Sequence, residues 1–298
     1  MGPESASDAA GSTSRQPYAG QRAVLATMHG KGTAIAPAFR DVLRMRLDTA
    51  VDLDTDALGT FTGEIPRAGN ILDTAIAKAR LGMAAAGLPI GIASEGSYGP
   101  HPLVPFMAGG VELMVLVDDR RGIVVSEHLI EDAPVFGHAL AACPAELEDF
   151  LKRHRFPSHA LIVRPNLGAT PTARIHKGVR DRRVLADAVA DAATASLDGK
   201  ALVEADMRAH MNPTRMASIA RLARILAARM ATRCPACGSP GFGRVDVEAG
   251  LPCEACEAPT ARVHHEVLGC AACAHRAQRA RSDGRTHAEA GECDLCNP

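Results

Sequence analysis

From Gln21 to Met230, short apolar runs alternate with stretches in which apolar residues recur three and four positions apart. That alternation predicts an α/β fold, a mixed sheet with flanking helices. Ala23–Thr27 reads as a buried strand. A helix follows, with Phe39, Val42, Leu43 and Leu47 at helical spacing. A second helix runs from Ile71 to about Ala86, with Leu72, Ala75, Ile76, Ala79 and Met83 on one face and Lys78 and Arg80 off that stripe. Asn70 is its N-cap and Gly87 its stop. Leu88–Ala93 is a buried strand that delivers Ser94-Glu95-Gly96 as a turn. Val111–Val117 and Gly122–Val125 form a hairpin through Asp118-Asp-Arg-Arg121, and Ala160–Val163 is a further strand. Val179–Ala195 reads as a helix. So does Met211–Met230, where Met216, Ile219, Leu222, Ala223, Leu226 and Met230 line one face behind an Asn212 cap and a first-turn Pro213.

Beyond Met230 this periodicity stops and cysteines take over. The predicted organisation is a disordered leader over 1–20, an α/β domain over 21–230 and a small zinc-ribbon module over 231–298. The leader has no basic segment followed by an apolar one, and no run has the length of a membrane span. Those features lead us to expect a cytoplasmic protein without a membrane partner, in which cysteines bind metal rather than form disulfides.

Eight of the nine cysteines form four C-x-x-C pairs: Cys234/Cys237, Cys253/Cys256, Cys270/Cys273 and Cys293/Cys296. Two residues between thiolates let a tight turn aim both sulfurs at one ion. Gaps of 15 and 19 residues within the first two and the last two pairs suit two four-cysteine zinc sites. The spacing favours sequential pairing, first with second and third with fourth, over a cross-braced arrangement. Four complete pairs leave His264, His265, His275 and His287 no vacancy. Cys143, alone in Ala-Ala-Cys-Pro, reads as a small buried apolar residue. Closed four-cysteine sites are structural, and the plain reading is that zinc folds a segment too poor in apolar residues to fold alone.

Charge is unevenly spread. Residues 21–150 carry ten Lys and Arg against seventeen Asp and Glu, a net −7; residues 151–230 carry fifteen against six, +9; residues 231–298 carry seven against nine, −2. Each zinc tetrathiolate centre adds about −2 more to the module. This weighs against nucleic acid as its partner, although Arg276, Arg279, Arg281 and Arg285 make a local basic stretch.

Two stretches of the α/β region carry candidate chemistry. Met28-His-Gly-Lys-Gly32 joins a strand to a helix, so backbone N–H groups, the helix dipole and Lys31 can cradle an anion; the same pattern also describes a plain turn. Glu204-Ala-Asp-Met-Arg-Ala-His-Met-Asn-Pro-Thr-Arg215 places Arg208, His210 and Arg215 ahead of a helix, as a phosphate site or as an ion-paired loop that seats the helix. Glu95, at the end of a central strand, is a candidate metal ligand or general base, or else a solvated turn residue.

Asn70–Gly96, with its Asn-Ile-Leu-Asp-Thr-Ala-Ile-Ala-Lys-Ala-Arg helix, Gly-Leu-Pro strand and acidic-Gly turn, resembles the inosine/xanthosine triphosphate pyrophosphatase superfamily over about residues 21–135. That resemblance implies a Mg2+-dependent nucleotide hydrolase. Thr27 and Lys31 would be its phosphate loop, Glu95 would bind magnesium or activate water, and Asp73 would be a second acidic ligand. The superfamily's Asp-Asp-Ser-Gly is Ala93-Ser94-Glu95-Gly96 here, one acid fewer. From Val24 onward the chain also resembles an uncharacterised bacterial domain-of-unknown-function family. The likeness rests on Gly91-Ile-Ala-Ser-Glu-Gly-Ser-Tyr-Gly-Pro-His-Pro102, Asp206-Met-Arg-Ala-His-Met-Asn-Pro-Thr-Arg-Met216 and the cysteine tail, and implies no activity. Two functions follow as expectations. The first is hydrolysis of a nucleotide or other phosphorylated small molecule. The alternative is a non-catalytic anion-binding adaptor whose zinc module docks a protein or nucleic-acid partner.

Overall fold

A computed structural model describes residues 16–27, 30–50, 70–100, 108–168 and 174–298. Residues 1–15 of the expected leader, Met28 and His29 of the candidate loop, and His101 lie outside them.

The first sheet has five strands. β1 (Arg22–Ala26) lies between β2 (Arg46–Thr49) and β3 (Ile90–Pro100), parallel to both; β4 (Ala108–Asp118) and β5 (Ile123–Glu131) extend the sheet antiparallel, in the order β2-β1-β3-β4-β5. Side chains alternate across each strand, which sorts the core into two faces. Leu25, Ile90, Ile92, Met114 and Leu116 meet α1 (Gly32–Leu43) and α5 (Pro213–Ala231) through Ile35, Phe39, Ile219, Leu222 and Leu226. Val24, Ala26, Ala93, Val115 and Val117 meet α2 (Ile71–Ala86) through Ala75, Ala79 and Met83. Here α2 sits directly on the strand backbone: a Cβ at Gly91 would lie 2.6 Å from Met83 Cγ and 2.7 Å from the Ala79 carbonyl.

α2 begins and ends as its sequence predicts. The Asn70 side chain accepts from the Asp73 N–H, and Gly87 closes the helix at φ 61. α5 is likewise capped by Asn212, whose side chain accepts from the Arg215 N–H. The hairpin of β4 and β5 turns at Asp118, which accepts from the Arg120 and Arg121 N–H groups. The structure corrects the extent of β3. It does not end at Ala93: β4 pairs with it in continuous register from Ile90 to Pro100, so Ser94, Glu95 and Gly96 lie within a strand. β1 pairs with it only at Gly91–Ala93.

Between β5 and α5 the chain builds a second, antiparallel sheet in the order β6-β9-β7-β8, from β6 (His138–Ala141), β7 (Leu161–Pro165), β8 (His176–Val179) and β9 (Ala201–Ala205). α3 (Glu148–Arg153) and α4 (Arg182–Ala195) cover it through their own apolar cluster, with Phe150, Leu151, Leu185 and Val189 against Leu161, Val163 and Val203. The helix expected from Val179 therefore starts later, because Val179 belongs to β8 and Asp181 caps α4 by accepting from the Arg183 and Val184 N–H groups. Cys143 is exposed rather than buried. Its sulfur lies 3.8 Å from Glu146 Oε1, ahead of a short 3-10 turn.

The C-terminal segment is a three-stranded antiparallel sheet, β10 (Gly243–Ala249), β11 (Val263–Gly269) and β12 (Arg276–Ala280). Arg229 of α5 holds its start to the first sheet, donating to the Gly241 and Ser126 carbonyls and pairing with Glu127 at 2.9 Å. Among the described residues no helix is long and apolar enough to cross a membrane.

Candidate functional site

Where β1 ends, five charged side chains are buried around residues 94–96. Lys31, at the start of α1, donates to the Ser94 carbonyl at 2.9 Å and to Ser94 Oγ at 3.0 Å. Burial pulls its pKa down to about 8; the Arg215 charge adds to that, and Glu112 and Glu95 oppose it. Arg215, in the first turn of α5, pairs with Glu112 of β4 at 2.5 Å and donates to the Met207 carbonyl. Tyr98 donates to the same Glu112 oxygen at 2.5 Å, and the Arg215 guanidinium stands 5.5 Å from the Tyr98 ring centre. Burial by itself lowers the Arg215 pKa, yet the charge and hydrogen bond of Glu112 carry it net upward. Burial also raises the Tyr98 pKa, reinforced by Glu112. Glu112 is fully buried, and its second oxygen, Oε2, has no hydrogen-bond partner among the described residues.

Strand alternation divides this cluster. Ser94, Gly96, Tyr98 and Glu112 face α1 and α5, as the closeness of Gly96 to Arg215 shows. Glu95 points the opposite way, toward α2, where it forms a buried ion pair with Lys78 at 2.7 Å. Lys78 is thus buried rather than off the apolar stripe. Lys31 nonetheless reaches Glu95 electrostatically, because the carbonyl it holds is one peptide away. Three cations and two carboxylates leave the cluster at net +1.

The remaining sequence candidates lie around this core. Thr27 follows β1, half-buried. The His210 Cβ lies 3.8 Å from where Gly30 would carry one, and the His210 carbonyl accepts from Arg180. Burial lowers the His210 pKa, with Arg208 and Arg180 adding to it. Arg208 is engaged by buried Asp206 at 2.6 Å, and its guanidinium reaches toward Gly178 of β8. Asp73 is exposed at the start of α2 and held by Asn70 at 2.7 Å. Sequence reasoning missed Glu112. Its signal was a lone acid inside the otherwise apolar run Val111–Val117.

The eight paired cysteines form two groups, Cys234/Cys237/Cys270/Cys273 and Cys253/Cys256/Cys293/Cys296, each with all sulfurs within 4.8 Å of one another. Neighbouring sulfurs lie 3.8 Å (Cys234–Cys273), 3.6 Å (Cys237–Cys270), 3.9 Å (Cys253–Cys296) and 3.7 Å (Cys256–Cys293) apart. A tetrahedral ion with Zn–S bonds of about 2.3 Å requires sulfurs about 3.8 Å apart, so each group fits one such ion. The turns are built for this. The Ala255 and Ala272 N–H groups donate to Cys253 and Cys270 sulfurs, and Gly238 and Glu257 close the first two turns at φ 72 and φ 59.

The pairing is cross-braced, first with third and second with fourth, which corrects the sequential expectation. The cause is the sheet. β10 carries the chain about 20 Å at roughly 3.3 Å per residue, separating the first and second pairs. β11 then returns antiparallel, with Gly269 opposite Gly243, and sets the third pair beside the first. The His264 and His265 rings lie against each other, tilted by 35°, and belong to neither group. Of the basic stretch, Arg279, Arg281 and Arg285 are ion-paired with Glu266, Asp283 and Glu292.

No curated protein and no solved structure matches the chain. Its residues 78–298 match a family model described as a domain of unknown function, DUF6671. That span takes in α2 from Lys78 onward, β3 with Glu95, β4 with Glu112, Arg215 and all eight clustered cysteines, and the chain belongs to this DUF6671 family.

Proposed function

We propose that the buried charge cluster binds the phosphate of a nucleotide or other phosphorylated small molecule, and that the protein hydrolyses it with Mg2+. The observation that carries this reading is the gathering of Lys31, Arg215 and Glu112 on one face of the sheet at the end of β1, with the Glu95–Lys78 pair on the other face within electrostatic reach, at net +1. Parallel strands of α/β folds gather ligands at that end. Lys31 and Arg215 neutralise phosphate charge. Glu95 is the acid for metal or water, and Glu112, with its unpartnered oxygen, is a better second carboxylate than exposed Asp73. Magnesium is commonly held by one or two carboxylates together with substrate phosphates, so the ion would arrive with its substrate. The resemblance of residues 21–135 to inosine/xanthosine triphosphate pyrophosphatases points to the same chemistry. Zinc is the ion each four-cysteine group would hold, as a structural site that closes the C-terminal module without an open coordination position.

One observation favours the non-catalytic alternative. Each carboxylate is already ion-paired, Glu95 with Lys78 and Glu112 with Arg215, so the acids also serve to fix the cations. Release of phosphate or pyrophosphate from a panel of natural and deaminated nucleoside triphosphates separates the two. A hydrolase loses turnover in Glu95→Gln while still binding substrate, and loses binding in Lys31→Met. Binding without turnover in the wild type leaves the adaptor reading. No binding of any phosphorylated compound by the wild type overturns both.

A further inference from the structure

The first turn of α5 is capped in an unusual way. Helix starts leave backbone N–H groups without intrahelical partners. In α5, Pro213 has no N–H, the Arg215 N–H is taken by the Asn212 side chain, and the Thr214 N–H is taken by a histidine ring. His159 Nε2 lies 3.3 Å from the Thr214 nitrogen and 2.9 Å from Thr214 Oγ1. A backbone N–H can only donate, so Nε2 is an unprotonated acceptor. The other side of the ring agrees. Ser158 Oγ donates its proton to the Arg155 carbonyl at 2.6 Å, and therefore accepts from His159 Nδ1, 3.0 Å away. The ring is neutral, protonated at Nδ1, and buried.

Most of what faces that ring opposes a second proton; the Arg155 backbone carbonyl alone favours one, and it is outweighed. Arg155, which also donates to Thr214 Oγ1 at 3.2 Å, and Arg180 beyond β8 present positive charge, His154 at the end of α3 works in the same direction, and the α5 N-terminus presents its positive dipole end. Burial, followed by those charges, lowers the His159 pKa below its ordinary value. A proton that does arrive must sit on Nε2, pointing at the Thr214 N–H. The next residue is Arg215.

We infer that His159 is a proton-operated latch: neutral, it holds the first α5 turn that carries Arg215 into the charge cluster, and protonated, it releases that turn. Its effect on ligand rests on the anion-binding reading above; its effect on the helix does not. As pH falls below about 6.5, the ordinary histidine value, the unfolded turn binds a proton that the latched turn refuses, so the latched form loses ground.

Sulfate is the probe, because it stays an anion from pH 5 to 7.5. Calorimetric sulfate binding and amide-exchange protection at Thr214–Met216 are measured over that range on the full zinc-loaded chain and on His159→Gln, which keeps an acceptor but cannot take the proton. His210 also gains charge in acid and strengthens anion binding, but both proteins share it. The wild type is expected to lose about threefold or more in sulfate affinity at pH 5 relative to the variant, with a parallel loss of protection. Variant and wild type tracking each other overturns the latch. Sulfate binding to neither at any pH overturns the anion site instead, and exchange alone then decides the latch. If the variant does not fold, the wild type still answers: the NMR titration midpoint of the His159 ring must coincide with the midpoint of protection loss, and separate midpoints refute the coupling.

Discussion

Replacing Gly96 by Ala puts a methyl group into the middle of the buried ion pair. The added Cβ would lie 2.6 Å from Arg215 Nη2, 2.7 Å from Glu112 Oε1 and 3.0 Å from Glu112 Cδ. These are the ends of long side chains, which on a surface would swing aside. Here they are pinned: Arg215 by Glu112 and the Met207 carbonyl, Glu112 by Tyr98, with both partners of the pair at most 1% exposed. Either the pair is pushed apart or the strands move. Overpacking a well-filled interior costs about 1–3 kcal/mol, and breaking a buried pair about 3–5 kcal/mol. Partial displacement lies between these, so Gly96→Ala should destabilise the protein by about 2–4 kcal/mol. Gly99→Ala is the control, because it lies in the same strand with nothing within 4 Å of its Cβ. It should stay within about 0.5 kcal/mol of wild type. Urea unfolding of the metal-loaded chain, followed by far-UV circular dichroism with slopes compared, reads both. Equal midpoints for the two variants would refute the claim that the Arg–Glu–Tyr arrangement fills the space over residue 96.

Three further outcomes are expected. In zinc-loaded Cys234→Ser, alkylation mapped by peptide mass spectrometry should open Cys237, Cys270 and Cys273 while the other four clustered cysteines stay protected; opening of Cys253 and Cys256 instead would restore sequential pairing. Glu257 and Gly238 occupy equivalent left-handed positions, so Glu257→Gly should stabilise and Gly238→Ala destabilise the module, each by about 1 kcal/mol, as thermal shifts of opposite sign. Lys31 loses its charge as pH rises through about 8, so sulfate affinity should fall between pH 7 and 9 in wild type and stay flat in Lys31→Arg, whose charge persists. A wild-type profile without that fall would place Lys31 away from the anion.

The sequence by itself determined what is local. Helical spacing, the Asn70, Asn212 and Gly87 signals and the C-x-x-C turns act over a few residues, and α2, α5 and the set of eight clustered cysteines stand where those signals put them. Alternation and burial were legible too, which is why the apolar faces of α2 and α5 were foreseen. The tertiary structure decided what depends on partners far along the chain. Glu95 reads as a turn residue until β4 supplies eleven paired positions and makes it part of a strand. Lys78 reads as solvated until Glu95 offers a buried countercharge. Of the second sheet only β7 is legible, as Ala160–Val163; β6, β8 and β9 are four or five residues long and too short to show a pattern. Glu112 and Arg215 are 103 residues apart, and no local pattern links them. Two C-x-x-C turns 15 residues apart can close on one ion across a loop or stand at opposite ends of a strand. β10 takes the second course, because its pairing with β11 stabilises extended chain more than a loop would, and the thiolates then find their partners across the sheet.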